Sequence, residues 1–234
     1  MLSVFIDIMS EPTHDVERPS VHPAPSDEVR KSDRTRAEIL DTALEFLWSH
    51  PFREMSVATL MRSTHVSRPT FYQYFEDMHE LMEKLLLDVE QEILHSAQPW
   101  FSGTGDPVAA LRTSLSELVR VGYERGPILR AVADAAPTDE RLDRSWEELL
   151  GRFDDAVAAR IEADQRQGLI PEFDPHPVAE ALNRLDARML IHAFGHRPVS
   201  RPAPVLEAIS RIWISTLYPT AETSALHREN GERT

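Results

Sequence analysis

The 234-residue sequence predicts an all-α protein, with a three-helix helix-turn-helix unit near the N-terminus followed by a larger helical domain. Three observations carry this. No stretch sustains the two-residue alternation of a half-buried strand, and leucine, alanine, glutamate and arginine dominate. Apolar residues recur at helical spacing in every long segment after residue 30. Three helix starts, at Ser56, Ser67 and Asp77, fall close together, which requires short helices on tight turns.

The totals agree with a globular chain: 41% hydrophobic, 27% charged and no cysteine, which excludes a disulfide framework and thiolate zinc sites. No apolar run approaches the ~20 residues that cross a bilayer, so no membrane partner is expected and the protein is expected to be cytoplasmic. The opening MLSVFIDIM is apolar but carries Asp7, has no basic residues before it and leads to no small-residue cleavage site. An unstructured or over-extended start is expected there. The net charge of −14 is uneven: residues 1–29 hold six acids and one base, residues 30–77 seven of each, and residues 78–234 twenty-six acids and seventeen bases. The middle segment alone is neutral, so any contact with phosphate belongs there.

Residues 1–30 carry Pro12, Pro19, Pro23 and Pro25 with no hydrophobic period and read as a disordered tail. The first helix is expected from about Asp33 to Ser49, with Ile39, Ala43, Phe46 and Leu47 on one stripe. His50-Pro51 ends it. Ser56 then caps a short second helix, stapled by Met55 and Leu60. After Thr64-His65-Val66 the device repeats, with Ser67 as cap, Pro69 in the first turn and Val66 against Phe71. Asp77 and Glu80 have capping-box spacing ahead of a long fourth helix. Beyond it, helices are expected over Pro107 to Tyr123, over a shorter segment after a break at Gly126-Pro127, from Pro137 to Gly168, from Asp174 to Gly195 and from Pro204 to Leu217. A unit over 31–77, a second over 78–219 and a frayed tail over 220–234 follow.

The segment SRPTFYQYF (67–75) places four aromatic rings in five residues of a chain with only seventeen in all. At 100° per residue Phe71 and Phe75 share one face and should be core. Pro69 and Gln73 lie opposite, with Tyr72 on one flank and Thr70 and Tyr74 on the other. A flanking tyrosine keeps its ring on the protein and offers its hydroxyl to a phosphate oxygen. Gln73 is able to make a bidentate contact with an adenine edge, Thr70 or Pro69 to touch a thymine methyl, and Arg68 to reach a guanine or a phosphate. Arg34, Thr35 and Arg36 at the start of the first helix, with Ser56 and Ser67 at the caps, complete the candidate DNA-binding set.

Residues 35–86, from TRAEIL through VSRPTFYQYF to HELMEKLL, resemble the DNA-binding domain of the TetR family of bacterial transcriptional regulators. ALNRLDARMLIHAFG (181–195) and RIWISTLYP (211–219) extend the likeness to the subgroup that includes the mycobacterial ethionamide-pathway repressor. The resemblance implies an all-α homodimer that binds a palindromic double-stranded operator and responds to a small ligand in the C-terminal domain. It also implies phosphate contacts for Tyr72 and Tyr74, with Arg68, Thr70 and Gln73 in the base-reading helix. Two positions depart from the family pattern: His65 stands where glycine is common, and Met78 where a phosphate-contacting lysine often stands.

In the C-terminal unit Trp100, Phe101, Tyr123, Trp146, Leu149, Leu150, Phe153 and Met189 are the bulky residues expected to enclose a pocket. Asn183 would orient an apolar or amphipathic effector, with Asp186 three residues on along the same helix face in the ligand-binding set, although Asp186 with Arg188 reads equally as a structural ion pair. Ile191, Phe194, Ile209, Trp213 and Leu217 form the expected dimer seam. His192 and His196 have metal-capable spacing but no third ligand in sequence, so neither a metal nor another cofactor is expected. No thiol nucleophile, G-x-S-x-G, phosphate loop or H-E-x-x-H is present, so no enzyme is expected. The reading is a ligand-responsive DNA-binding repressor; an activator of the same fold, and a helical ligand-binding or scaffold protein with an inactive head, are the alternatives.

Overall fold

The computed structural model describes residues 27–219, with side chains from residue 31. Among these residues the chain forms α1 (Asp27–Leu47), α2 (Val57–Met61), α3 (Arg68–Phe71), α4 (Met78–Phe101), α5 (Pro107–Ala135), α6 (Glu140–Arg166), α7 (Pro175–Phe194) and α8 (Pro202–Leu217). Short 3₁₀ turns cover Phe52–Glu54 and Ala136–Thr138. Helices α1–α3 form the head; α4–α8 form a bundle in which α5 lies between α4, α7 and α8. No described helix is long and apolar enough to cross a membrane.

The starts follow local chemistry. Ser56 and Ser67 accept from the Thr59 and Thr70 amides, and Asp77, Asp106, Asp139 and Asp174 cap α4, α5, α6 and α7 in the same way. Each such cap contributes about 1 kcal/mol. At α4 the capping box is offset by one: Asp77 Oδ1 accepts from the Glu80 amide, while the Glu80 carboxylate accepts from the Glu76 amide. Gly168, at φ +71°, turns the chain out of α6 as expected.

Four features differ from the sequence expectation. Helix α1 begins at Asp27, so residues 27–30 of the expected tail are helical; the rest of that tail, and the one expected over 220–234, lie outside the described residues. Lys31, Ser32, Asp33 and Arg34 are all exposed, and a solvated helical turn leaves no apolar period. Helix α5 runs unbroken through Gly126-Pro127. The pair serves packing: a Cβ on Gly126 would lie 2.5 Å from the Phe194 carbonyl oxygen, and one on Gly122 would lie 2.8 Å from Leu190. Two glycines four apart on α5 therefore admit two large residues four apart on α7, and tertiary contact compensates for the hydrogen bond that Pro127 removes.

Third, α3 keeps only four residues in regular helix, and Tyr72 to Tyr74 follow as a turn held by Gln73 N–H to Thr70 and Tyr74 N–H to Phe71. Fourth, Ile191, Phe194, Ile209, Trp213 and Leu217 are buried within a single chain, at 0–9% exposure. Their faces point into the bundle, so the expected dimer seam is core. The apolar residues of α7 and α8 that stay half-exposed are others, including Val178, Leu185 and Met189 on α7 and Val205, Ala208 and Ile212 on α8. On each helix those three fall within an arc of ~60°.

Candidate DNA-binding face and ligand cavity

The two rings expected in the head core are there: Phe71 is 0% and Phe75 2% exposed, with centroids 5.5 Å apart. Tyr72 packs edge-on against Phe71 at 5.4 Å yet remains 59% exposed. Gln73, Arg68 and Pro69 are exposed beside it, and Tyr74 is half-buried against the core. Anchor and contact surface thus come from one short segment. The exposed set combines a phenol, an amide and a guanidinium, groups that contact phosphates and base edges.

Other candidates divide by role. Ser67 Oγ and Thr70 Oγ1 lie 2.7 Å apart, as do Ser56 Oγ and Thr59 Oγ1, so these hydroxyls already take part in capping. Thr35 Oγ1 donates to the Lys31 carbonyl, and the Arg36 guanidinium lies 5.7 Å from the Phe75 ring centroid. Arg34 borders a different surface, the groove between α1 and α2. The His65 amide donates to Glu38 Oε1, fixing the turn before α3 to α1, and Met78 is partly buried against the head core. Arg62, exposed just past α2, is a basic residue of the head that the sequence reading did not select.

Contacts between α4 and α6 brace the start of α4, where the head ends, and others tie the head itself to the bundle. Arg141 of α6 donates to Glu83 through Nε and Nη2, at 2.6 and 2.7 Å, and to Asp77 through Nη1 at 2.9 Å. Burial would raise the Asp77 carboxyl, but the Glu80 amide, Arg141 and the His79 amide hold it below the usual carboxylate range. His79 Nε2 lies 2.6 Å from Asp139 Oδ2. Arg130 of α5 donates to the Leu47 carbonyl at the end of α1, and Arg197, before α8, stacks over Trp48 at 4.8 Å and pairs with Glu45. Sequence periodicity carries no signal for Arg130 or Arg197, because each acts across the fold on a distant backbone or ring.

A cavity of about 90 Å³ lies inside the bundle, bordered by residues of α4 to α8. Of the pocket residues expected from sequence, Trp100, Phe101, Trp146, Leu149, Leu150, Phe153, Asn183 and Asp186 border it. Tyr123 and Met189 do not. Tyr123 is 40% exposed with its ring against Phe194, and Met189 belongs to the half-exposed side of α7. Trp213, expected in the dimer seam, is instead a cavity wall and donates from Nε1 to Asp186 Oδ2 at 2.9 Å. The space is smaller than the ~300–1,000 Å³ of a drug-sized site, so a larger occupant requires the walls to move.

The polar groups in this wall are few. Asn183 Nδ2 donates to buried Asp154 at 2.7 Å, which leaves its carbonyl oxygen available to accept. Ser114 Oγ donates to the Ala97 carbonyl at 3.4 Å. Asp186 is buried, and its Oδ1 has no hydrogen-bond partner.

Comparison with known proteins matches both halves. The family model for bacterial regulatory proteins of the tetR family covers residues 39–85, and that for the C-terminal domain of the transcriptional regulator EthR covers 111–219. The chain belongs to the TetR family, in the EthR subgroup. It is 28% identical to the HTH-type transcriptional regulator EthR of Mycolicibacterium smegmatis over 195 residues, covering 80% of this chain and 88% of that protein. The Mycobacterium tuberculosis EthR matches at 28% over 190 residues, with the same coverage. The TetR-family regulator PfmR from Thermus thermophilus shares the fold, with a TM-score of 0.64 at 18% identity, covering 76% of this chain and 98% of that one. A TetR-family regulator carries its helix-turn-helix in the first of these segments, so this chain is a DNA-binding transcriptional regulator.

Proposed function

We propose that the protein is a homodimeric repressor that leaves a palindromic operator when a small apolar or amphipathic molecule enters the bundle cavity. One observation carries this reading. Leu129 of α5 lines the cavity, and the next residue, Arg130, holds the last carbonyl of α1. A rigid helix links the two places, so an occupant that displaces α5 also displaces the head.

In this account Tyr72 and Tyr74 contact phosphates, assisted by Ser56, Ser67, Arg34, Thr35 and Arg36. Arg68, Pro69, Thr70 and Gln73 meet base edges. Two heads read two half-sites only if two chains pair. The half-exposed apolar strips of α7 and α8 supply a self-complementary surface for a four-helix contact.

The test is footprinting of the DNA flanking the protein's own gene, followed by titration of the footprinted duplex. Protection of a two-fold symmetric site by a dimer, relieved by an apolar compound that binds the bundle, is expected. Protection with no symmetry, or by a monomer, contradicts the proposal.

A further inference from the structure

The cavity wall has an unusual charge balance. Of the nineteen residues that border it, Asp186 is the only titratable one, and no lysine, arginine or histidine is among them. Five walls are aromatic: Trp100, Phe101, Trp146, Phe153 and Trp213. The charged groups packed behind the wall form ion pairs with one another, although Arg160 Nε, Asp164 Oδ1 and Arg184 Nη1 also have no hydrogen-bond partner. Arg184 pairs with Asp154 and Glu147, and Arg160 pairs with Asp164, which also accepts from Tyr218. Asp186 therefore has one donor, the Trp213 indole on Oδ2, and a buried oxygen, Oδ1, with none. A buried acceptor without a donor is costly, and a carboxylate without a counter-charge more so.

We propose that the effector of this cavity carries a basic nitrogen on an apolar body, held as an ammonium by Asp186 with the aromatic walls around it. The inference rests on the ligand-response reading above. An ammonium supplies the donor that Oδ1 lacks and the counter-charge that no side chain in the wall provides. Aromatic faces stabilise a cation further. Asn183 borders the same cavity, and its carbonyl oxygen is a second acceptor. An anionic ligand would meet no cation in this wall.

Proton balance distinguishes this from a neutral ligand. Burial pushes the Asp186 carboxyl up to about 8, with the Trp213 hydrogen bond acting in the opposite direction. Below that pH the free site holds a neutral acid. Binding an amine that is protonated in solution then gives a carboxylate–ammonium pair and releases the acid proton to solvent. Amine affinity should rise close to tenfold per pH unit up to about pH 8 and then level off. A neutral alcohol releases no proton and shows no such rise.

The experiment is calorimetric titration of the full chain with 2-phenylethylamine, 2-phenylethanol and 3-phenylpropanoate at pH 6, 7 and 8, repeated on Asp186→Asn. That substitution keeps an acceptor for the Trp213 indole. The amine should bind at least tenfold more tightly than the alcohol at pH 8, gain affinity with pH, and lose both features in Asp186→Asn. Equal or tighter binding of the alcohol or the carboxylate, or an amine preference that survives Asp186→Asn, overturns the ammonium assignment and leaves the cavity as an effector site. Binding of none of the three overturns both.

Discussion

Two groups of aromatic residues organise this molecule, and they are built in opposite ways. Phe71 to Phe75 are nearly continuous in sequence and divide by face: Phe71 and Phe75 are buried, and Tyr72 is open to solvent. Trp100, Phe101, Trp146, Phe153 and Trp213 come from α4, α6 and α8, and meet around a space. The first group fills its surroundings and fixes a surface. The second leaves a cavity with a buried acid in its wall, and so can respond to an occupant. A close-packed cluster holds a shape; an unfilled cluster lets its shape be set by something else.

The largest effect that sharpens this contrast belongs to Asp186. Its folded pKa of about 8 lies above the ordinary 3.8, so the folded chain keeps a proton that the unfolded chain releases. Stability from this group is therefore greatest below pH 4, falls as pH rises towards 8, and is level beyond. At about 1.4 kcal/mol per pH unit, the loss across that window is on the order of 4–6 kcal/mol. Denaturant unfolding of Asp186→Asn between pH 4 and 8 should lack this decline. An equal decline in the variant would refute the role of Asp186.

Next is the filled cluster. Phe71→Ala leaves a cavity beneath the contact surface and should cost ~3–5 kcal/mol in unfolding experiments. DNA binding should be lost with it, whereas truncating Phe153 in the cavity wall should cost clearly less. Ile212→Glu places a charge on the half-exposed side of α8 and should give folded monomers in ultracentrifugation. Trp213→Glu buries a charge and should instead fail to fold. A stable dimer of Ile212→Glu would show that the chains pair elsewhere.

The smallest effects lie on the reading surface. Tyr72→Phe should weaken operator and non-operator DNA alike by ~1 kcal/mol, as loss of a phosphate contact does. Gln73→Ala should relax preference at one or two base pairs by ~1–3 kcal/mol, measured by anisotropy on single-substituted duplexes. Uniform weakening by Gln73→Ala would remove it from base reading.

These differences also explain what could be read before folding. The head was legible because its signals are local: the caps at Ser56, Ser67 and Asp77 and the four-residue spacing of Phe71 and Phe75 lie within a turn or two of what they determine. Gly126-Pro127 misled because a break and a close helix crossing use the same residues, and only the position of Phe194 separates them. Helical spacing points Trp213 to a dimer seam because it shows that a face is apolar, not which neighbour covers it. Arg130 carries no sequence signal, since its partner is a backbone carbonyl 83 residues away.

Ala187 gives access to the link between the two groups. Ala187 borders the cavity, so Ala187→Phe places a ring where an occupant would lie. Operator affinity is to be measured for this variant alone and combined with Arg130→Met, with folding and dimerisation verified for both. Ala187→Phe should weaken operator binding about tenfold, a coupling of about 1.4 kcal/mol, and should have less than about a twofold effect once Arg130 is replaced. An unchanged affinity in folded Ala187→Phe dimers, or the same loss in both backgrounds, would contradict a path from the cavity through α5 to the head.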